Sequence, residues 1–411
     1  MHSFGRCLVD AMSGKRVLIV VENLPVPLDR RVWQEACALR DAGYVVTVVC
    51  PKMRGYTVAE ESIDGIQIYR HWISSEASGV RGFLLEYASA LVGELWCAIK
   101  AWRRGRFDII HLCNPPDLLF LVALPFKVLF GTKVVYDVHD LWPEMFVAKF
   151  RRRGLLRQGV LYWGVLLAHR CTLAVADGVI ATNESVKRMV LKRGQLRDEV
   201  VSVVRTSPVA IDTTVEADPD LKGEKPYLVV YVGVMGDADG VLHLIEAADH
   251  LVNEMKRDDV KFLLMGTGPE YRKLVALRDQ KSLADCVDMP GMVSDEFLSV
   301  ALQTADLGVS CDPINEYNHH CTMNKVLEYM AFGKAQVMFD LREGRVSAGD
   351  AAVYIEESSV LLARAIADIL DDPVLRQKLG RLGIERIDGE LGWKQSVEAL
   401  IGLYAKISKA P

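Results

Sequence analysis

Short apolar, β-branched runs alternate with longer segments of helical periodicity along the first half of the chain. These runs cover residues 16–21, 45–50, 108–113, 133–138, 178–183 and 201–205. Because consecutive positions within each run are apolar, both faces of the corresponding strand should be buried, which is typical of a parallel sheet with crossover helices. The pattern predicts a doubly wound, Rossmann-like α/β domain over residues 1–205.

The alternation stops and then restarts. Residues 206–226, "TSPVAIDTTVEADPDLKGEKP", are polar, rich in turn formers and without periodicity, so we interpret them as a linker. Further apolar runs follow at 227–233, 261–266, 286–291, 307–311, 335–340 and 351–355. They predict a second Rossmann-like domain over residues 227–388, followed by a terminal segment at 389–411. In such tandem α/β domains, ligands are expected beyond the carboxyl ends of the strands.

Composition indicates a globular protein. The 411 residues are 50% hydrophobic and 25% charged, which is ordinary for a chain with a sizeable core. The nine cysteines form no CxxC pair, so neither a disulfide framework nor a zinc site is indicated, and we expect a reducing compartment. The first sixteen residues lack a secretory signal, and no apolar run approaches the roughly 18–20 residues of a membrane span. These features predict a cytoplasmic protein.

Charge divides unevenly along the chain. Residues 1–205 contain 28 Lys and Arg against 20 Asp and Glu, whereas the remainder contains 21 against 34. Basic clusters at 103–106 and 149–157 adjoin apolar runs at 118–130 and 160–168. Runs of this length fit either buried core helices or segments lying in a membrane interface. We therefore expect an anionic partner to bind the first half of the chain. The lack of a basic stripe interleaved with aromatic residues argues against nucleic acid as that partner.

Polar residues follow several predicted strands of the first half. Asp29 and Arg30 begin the helix after the first strand, where they suit either a substrate loop or an ordinary helix cap. His111 precedes the end of a strand and Asn114 follows it. A single His in such a position is more often a core residue than a catalyst.

A more suggestive pair stands at the end of the next strand. His139 and Asp140 lie in "YDVHDLWPE", residues 136–144. A strand-end His–Asp pair can polarise a substrate hydroxyl, so we favour a functional role here.

Glycine-containing turns follow two strands of the second half. Gly233 and Gly236 lie in "YVGVMGDADG", and Gly266 and Gly268 lie in "MGTGPE". Such turns let the backbone approach a phosphate at the next helix start, although neither is a full dinucleotide fingerprint. The "DAD" triplet could resemble a metal-binding acidic pair, but such triplets arise easily by chance, and we expect no metal.

The helix start in "CTMNKVLEYMAFGK" gathers Asn324, Lys325 and Glu328. Polar groups there, beside unpaired backbone N–H groups, form either an anion or sugar-hydroxyl site or an ordinary helix cap.

Taken in order, these stretches resemble bacterial family-4 glycosyltransferases of the GT-B fold. The resemblance runs from "VPLDRRVWQEACALRDAGYVVTVVCP" through "FDIIHLCNPPD", "YDVHDLWPE" and "MGTGPE" to "NKVLEYMAFGKAQVMFDLREGRVSAGDAAVYI". It implies two Rossmann-like domains facing a central cleft, with a nucleotide-sugar donor on the second and the acceptor on the first. It also implies transfer with retention of anomeric configuration, without a metal or other cofactor, and a terminal helix within 389–411 that returns to the first domain.

The resemblance also assigns roles to particular residues. Glu328 matches the second Glu of an E-x7-E motif that binds the nucleotide ribose, and Lys325, beside Asn324, faces the diphosphate and neutralises a phosphate as it leaves. His139, followed by Asp140, matches a strand-end His near the acceptor and the transferred sugar. The stretch from Gly233 through Met235 to Gly236 matches the loop that approaches the diphosphate.

Three features depart from the family pattern. His320 stands where the first Glu of E-x7-E is expected, the glycine loop lacks the usual Arg and Lys, and "VVRTSPVAID" replaces an Asn-Gly turn after the sixth strand. Lys325, with Arg205, Arg342 or Arg345, would then have to supply the positive charge at the donor site.

The expected reaction is a front-face displacement, since no carboxylate is evident as a covalent nucleophile. The basic first half favours a polyprenyl-diphosphate-linked or other anionic acceptor at a membrane surface, in surface-polysaccharide or glycolipid assembly. A soluble acceptor, a GT-B nucleotide-sugar epimerase and an inactive donor-binding partner subunit remain alternatives.

Overall fold

A computed structural model describes residues 14–73, 79–150, 155–208 and 212–409. Contacts divide the chain into two units. The first comprises the residues up to Thr206 together with those from Lys394 onward, and the second comprises Ser207–Trp393. Each unit is a parallel-sheet α/β domain, which confirms the predicted fold class.

The first unit is built on an eight-stranded sheet in the order β3-β4-β2-β1-β5-β6-β7-β8. Its strands are β1 (Arg16–Val21), β2 (Val45–Pro51), β3 (Glu60–Ile63), β4 (Ile66–His71), β5 (Ile109–Cys113), β6 (Lys133–Val138), β7 (Gly178–Ala181) and β8 (Val201–Val203). Its helices are α1 (Arg30–Asp41), α2 (Gly79–Trp102), α3 (Phe120–Phe130), α4 (Trp142–Phe150), α5 (Leu155–Val175) and α6 (Glu184–Gly194). Apart from β3, all strands run parallel, as their two-sided burial predicts.

The edge hairpin β3–β4 is absent from the sequence-based prediction. β3 runs antiparallel to β4, and the two residues between them, Asp64 and Gly65, both adopt positive φ angles, 49° and 80°. This is the geometry of a tight two-residue hairpin, for which Asp-Gly is a preferred sequence. The hairpin was missed because β3, "EESI", is only half-buried and carries no apolar run.

The second unit contains a fully parallel six-stranded sheet in the order β11-β10-β9-β12-β13-β14. The strands are β9 (Tyr227–Val232), β10 (Val260–Met265), β11 (Val287–Gly291), β12 (Leu307–Ser310), β13 (Ala335–Phe339) and β14 (Val353–Ile355). The helices are α7 (Val241–Asp249), α8 (Tyr271–Gln280), α9 (Asp295–Thr304), α10 (Asn324–Ala331), α11 (Arg342–Ala348), α12 (Ser359–Asp371) and α13 (Pro373–Asp388). Every strand predicted for this half is present.

The last helix, α14 (Trp393–Lys409), packs within the first unit. The hydroxyl of Tyr404 lies 2.7 Å from Nδ1 of His111, and the hydroxyl of Ser396 accepts from the backbone N–H of Arg205 at 3.0 Å. Leu403 and Ile407 pack so closely against Gly178 at the start of β7 that a methyl group there would lie 3.1 Å from Ile407 Cγ2. These contacts attach the end of the chain to the first sheet.

Helix α3 contacts both α2 and α5, and each of these three helices exposes apolar side chains. Trp102 of α2 stacks on Phe126 and Phe130 of α3, and Thr172 of α5 donates to the carbonyl of Asp117 just before α3. We call the exposed apolar positions of these helices the outer helical surface: Val92, Trp96, Val128, Leu129, Trp163 and Leu167, each more than three-fifths exposed.

The run at 118–130 is partly buried and partly exposed. Val122, Ala123 and Phe126 are buried in the core, whereas Val128 and Leu129 are exposed. No helix in the described ranges has the length and apolar character needed to cross a bilayer. Of the basic cluster at 149–157, residues 151–153 lie outside the described residues.

Candidate active site

The carboxyl ends of three adjacent strands bring together the polar residues of the first unit. β1, β5 and β6 are neighbours, and their carboxyl ends pair in register: Val21 with Cys113, and Cys113 with Asp137, the residue before the last of β6. The segments that follow these strands carry Asp29, Asn114 and His139. These three residues therefore leave the sheet at the same edge, where parallel α/β folds bind ligands.

His139 belongs to a buried ionic network centred on Asp137. The Asp137 carboxylate accepts a fork of hydrogen bonds from Arg31, at 2.8 and 3.1 Å, and lies 2.6 Å from Nε2 of His139. Burial alone would raise the pKa of Asp137, but the positive charges of Arg31 and His139 hold it well below its usual range. Burial alone would lower the pKa of His139, but the charge of Asp137 raises it above its ordinary value. The geometry therefore favours an imidazolium at position 139.

Glu35 adds a protonatable group to the interior of this network. It is fully buried, with one oxygen 3.0 Å from Nη2 of Arg31 and the other 3.6 Å from Nε2 of His111. Burial raises the pKa of Glu35 to about 8, although the charge of Arg31 opposes this shift. Glu35 is therefore mainly protonated at neutral pH, and the network retains a net positive charge from Arg31, Asp137 and His139.

His111 is fully buried, which corrects its place among the acceptor-binding residues. Its Nδ1 pairs with the hydroxyl of Tyr404, and burial lowers the pKa of the ring. The side chain thus links α14 to the network and cannot contact an acceptor directly. His111, Cys113 and Asp137 offer atoms within 4.8 Å of one another. These three residues do not suit a metal cation, because the Asp137 carboxylate is already bonded to Arg31 and because burial raises the pKa of the Cys113 thiol.

Asn114 also proves to be a structural residue rather than an exposed contact. Its amide group donates to Asp117, to the hydroxyl of Tyr136 and to the carbonyl of Asp140. Its Oδ1 accepts from the backbone N–H groups of His139 and Asp140, at 2.7 and 3.2 Å. Because Asn114 is only 1% exposed and both ends of its amide are used, it braces the turn that carries His139.

Asp29 and Arg30 begin α1, and the capping alternative applies to Asp29. The Asp29 carboxylate accepts from the backbone N–H of Val32 at 3.1 Å, as an N-cap residue does. Both residues are half-buried. The next residue, Arg31, is the one that enters the ionic network.

In the second unit, two glycine turns pack directly against each other. Gly233 and Gly266 have φ angles of 147° and 138°, and a Cβ on Gly266 would lie 1.8 Å from the carbonyl oxygen of Gly233. A Cβ on Gly268 would lie 2.5 Å from the carbonyl oxygen of Met235. The Met235 side chain is buried in the core, so this residue can face a ligand through its backbone only. Both turns therefore require glycine on steric grounds.

Lys325 lies beside these turns at the start of α10. Its Nζ is 2.9 and 3.1 Å from the two carboxylate oxygens of Asp312 and 4.7 Å from the centre of the Tyr231 ring. Its Cε would lie 3.3 Å from a Cβ on Gly233. Burial alone would lower the pKa of Lys325, but Asp312 raises it well above the ordinary value. The ammonium is therefore a fixed positive charge where the first glycine turn meets α10.

Two acidic residues near Lys325 are absent from the sequence-based assignment. Asp312, 1% exposed, follows the end of β12 and also accepts from Ser310 at 2.5 Å. Asp239 accepts from the backbone N–H of Gly236 at 3.0 Å. Burial raises the pKa of Asp239 to about 6, although the charge of Lys325 opposes this shift. A signal for Asp312 was available, since it is the first charged residue after a buried strand.

The remaining predicted donor residues surround the start of α10. Asn324 is exposed, and Met323 at the N-cap position makes no side-chain capping bond. Glu328 lies one turn further along the helix and is 8% exposed. Nε2 of His320 lies 3.3 Å from a carboxylate oxygen of Glu316. A helix start without a side-chain cap from Met323, a fixed cation and a carboxylate thus occur together, an arrangement suited to a phosphate and a sugar hydroxyl.

A groove in the first unit opens near the carboxyl end of β4. Its volume is about 460 Å³, and it runs between the β3–β4 hairpin and α2. Trp72, 67% exposed, and Trp96, 65% exposed, both line it. This groove continues the outer helical surface towards the strand-end edge.

Family models and solved structures of glycosyltransferases match both α/β domains of the chain. The family model described as glycosyl transferase 4-like domain matches residues 28–206, and the model described as glycosyl transferases group 1 matches residues 226–372. A sucrose-phosphate synthase structure from Thermosynechococcus elongatus superposes with a TM-score of 0.75 at 19% identity, covering 96% of this chain and 99% of that one. The fold is therefore GT-B.

The two family models, which match residues 28–206 and 226–372, place the chain among the family-4-like glycosyltransferases. It is 24% identical to α-D-kanosaminyltransferase from Streptomyces kanamyceticus over 253 residues, which span 58% of this chain and 63% of that relative. The structure of Anabaena Alr3699/HepE in complex with UDP-glucose superposes with a TM-score of 0.63 at 13% identity, over 96% of this chain and 98% of that one.

Proposed function

We propose that the chain is a retaining, metal-independent hexosyltransferase that moves a sugar from a nucleotide-sugar to a hydroxyl of a lipid-linked saccharide. The second unit would bind the donor and the first unit the acceptor, as part of surface-polysaccharide or glycolipid assembly on the cytoplasmic face of a membrane. The observation that carries this proposal is the buried Lys325 ammonium, 2.9 Å from Asp312, beside two glycine turns and an uncapped helix start.

Lys325 supplies what departure of a nucleoside diphosphate requires. Negative charge develops on the leaving phosphate as the C1–O bond breaks, and a fixed cation stabilises that charge without reorganisation. Asp312 keeps the ammonium in place in the free protein, and a donor phosphate would share it. The start of α10, where Met323 provides no side-chain cap, places the positive end of the helix dipole at the same position. Together these groups support a donor site that works without a metal, and the binding of UDP-glucose by HepE supports a nucleotide-sugar as donor.

On the acceptor side, the outer helical surface and the basic charge of the first half favour a lipid-linked substrate. Val128 and Leu129 are 72% and 70% exposed, and exposed apolar patches of this kind mark interaction sites. Arg103 and Arg106 are exposed at the end of α2, with Arg106 5.9 Å from the centre of the Phe130 ring. Arginines bordering an apolar surface are suited to an anionic membrane.

The donor part of the proposal is tested by a thermal-shift screen of the purified chain against UDP-, GDP-, ADP- and dTDP-sugars in EDTA. We expect stabilisation by one nucleotide class, unaffected by EDTA and lost in Lys325→Met. Lys334→Met is the matched control, because Lys334 is partly buried and, among the residues that the structure describes, bonds to the carbonyl of Gln303 and to no carboxylate. Stabilisation that requires a divalent cation would contradict metal independence.

The membrane part is tested by flotation with phosphatidylcholine vesicles, with and without phosphatidylglycerol. We expect binding that requires the anionic lipid and is lost in Val128→Asp. Val374→Asp is the control, because Val374 is equally exposed but lies in the second unit, on α13. Equal binding by both variants, or none by the wild type, would contradict a membrane-bound acceptor.

A further inference from the structure

The group that fixes His139 lies two residues earlier, near the end of the strand that precedes it. Asp137 is fully buried on β6, and one of its oxygens is 2.6 Å from Nε2 of His139. Arg31 holds both oxygens of this carboxylate, and its guanidinium also donates to the carbonyl of Val204 at 2.9 Å and to Thr206 at 3.2 Å. A carboxylate held by such a fork cannot rotate away from the imidazole.

This arrangement leaves one ring nitrogen of His139 available. The backbone N–H of His139 is tied to Asn114, and Nε2 is tied to Asp137. Nδ1 makes no hydrogen bond to any residue that the structure describes, and the side chain is 14% exposed. The nitrogen left for a substrate is therefore Nδ1, at the edge where β1, β5 and β6 end.

The charges around the ring determine whether Nδ1 donates or accepts. Asp137 and, more weakly, Asp29 favour the charged ring, whereas burial and Arg31 oppose it. His111 is buried, with a lowered pKa, and Glu35 has a pKa of about 8, so neither adds a full charge at neutral pH. The direct contact with Asp137 outweighs the opposing effects.

We infer that Asp137 is a positioning residue that keeps His139 as an imidazolium, with Nδ1–H donating to an oxygen of the acceptor or of the transferred sugar. This inference rests on the proposed function for its substrate. It makes His139 a hydrogen-bond donor and source of positive charge rather than the base that deprotonates the acceptor hydroxyl. The acceptor proton must then go elsewhere, for example to the departing phosphate oxygen.

The test is an NMR titration of the histidine ring nitrogens in the full-length chain, with His139 assigned by the signal that disappears in His139→Gln. We expect His139 to titrate above the ordinary value of 6.5. An opposite charge in direct contact accounts for about 1–3 pKa units, so Asp137→Asn should shift the titration downward by that order. A wild-type His139 that titrates at or below 6.5, or that is unchanged in Asp137→Asn, would overturn the inference.

Asp259→Asn is the matched control, because Asp259 accepts a similar fork from Arg257 at 2.8 and 2.9 Å in the second unit. It should leave the titration of His139 unchanged. If Asp137→Asn does not fold, the wild-type titration still decides, and Asp137→Glu, which keeps the charge, should retain a raised value.

The pH dependence of turnover provides a second test, because it would not change if Asp137 had only a structural role. Activity should fall as pH rises through the pKa of His139, and Asp137→Asn should move this alkaline limb to lower pH, lowering kcat with little change in the donor KM. Activity that instead rises through that pKa would identify a base and overturn the inference. A raised pKa without any turnover would count against the proposed function while leaving the assignment of Asp137 intact.

Discussion

Replacing Lys325 separates its structural role from its proposed role in donor binding. Lys325→Met keeps the aliphatic stem and removes the ammonium. Within the described part of the chain, this leaves Ser310 as the hydrogen-bond partner of the Asp312 carboxylate, which is 1% exposed. Removing one partner of a buried ion pair costs about 3–5 kcal/mol. We expect a decrease of that order in the free energy of unfolding of the second unit, measured by denaturant titration.

The double variant Lys325→Met/Asp312→Asn should recover most of this loss, because no buried charge is left unpaired. Donor binding should not recover with it. A hydrogen bond to a charged group contributes roughly 1.5–3 kcal/mol. Both Lys325 variants should therefore bind the nucleotide-sugar weaker by roughly one to two orders of magnitude, measured by calorimetry.

The single variant Asp312→Asn completes a double-mutant cycle with Lys325→Met and the double variant. It frees the ammonium from its counter-ion, so a donor phosphate should bind at least as tightly as in the wild type, although the unliganded protein is less stable. Donor affinity that recovers in the double variant, or that falls in Asp312→Asn as much as in Lys325→Met, would show that Lys325 acts only as a partner of Asp312.

Other predictions concern packing and pH. Gly266→Ala should destabilise the second unit by at least about 1–3 kcal/mol, because the new methyl group would lie 1.8 Å from the Gly233 carbonyl oxygen. Gly402→Ala is the control and should not destabilise the protein, because its methyl group would meet no atom within 4 Å. Denaturant titration of both variants measures the difference. Asp239 has a folded-state pKa of about 6 against an ordinary 3.8, so the folded state binds the proton more tightly and the free energy of unfolding should fall as pH rises from about 3.8 to about 6. Asp239→Asn should abolish this pH dependence, and it should raise the melting temperature above pH 6 but not below pH 3.8. Burial raises the pKa of Glu94 to about 8 from 4.5, so the free energy of unfolding should also fall as pH rises from about 4.5 to about 8. Glu94→Gln should remove this dependence, and a pH profile of stability that is unchanged in the variant would contradict the raised pKa.

The sequence predicts the sheets well because parallel strands buried on both faces leave continuous apolar runs. It predicts edges poorly. The β3 strand has polar residues at half-exposed positions, so nothing in its hydropathy marks it, and the available clue was the Asp64–Gly65 pair before the apolar positions of β4.

The proposed donor site was largely visible in the sequence because its glycine turns and the start of α10 are local features of the chain. The network around His139 was not, since it joins residues from β5, β6, α1 and α14. Asp137 and His111 were nevertheless signalled, because each is a polar residue within an otherwise apolar, fully buried strand. Such a residue needs a partner, but the sequence does not reveal that Arg31 and Tyr404 provide it.

We propose that this chain alone transfers a sugar with retention and without a metal. The most direct measurement is proton NMR of the reaction of the purified protein in EDTA with a nucleotide-sugar from the class that stabilises it and a polyprenyl-diphosphate-linked saccharide. We expect a new glycosidic signal whose anomeric configuration matches that of the donor. A product of inverted configuration, or donor binding with no transfer until a divalent cation or a second protein is added, would contradict it.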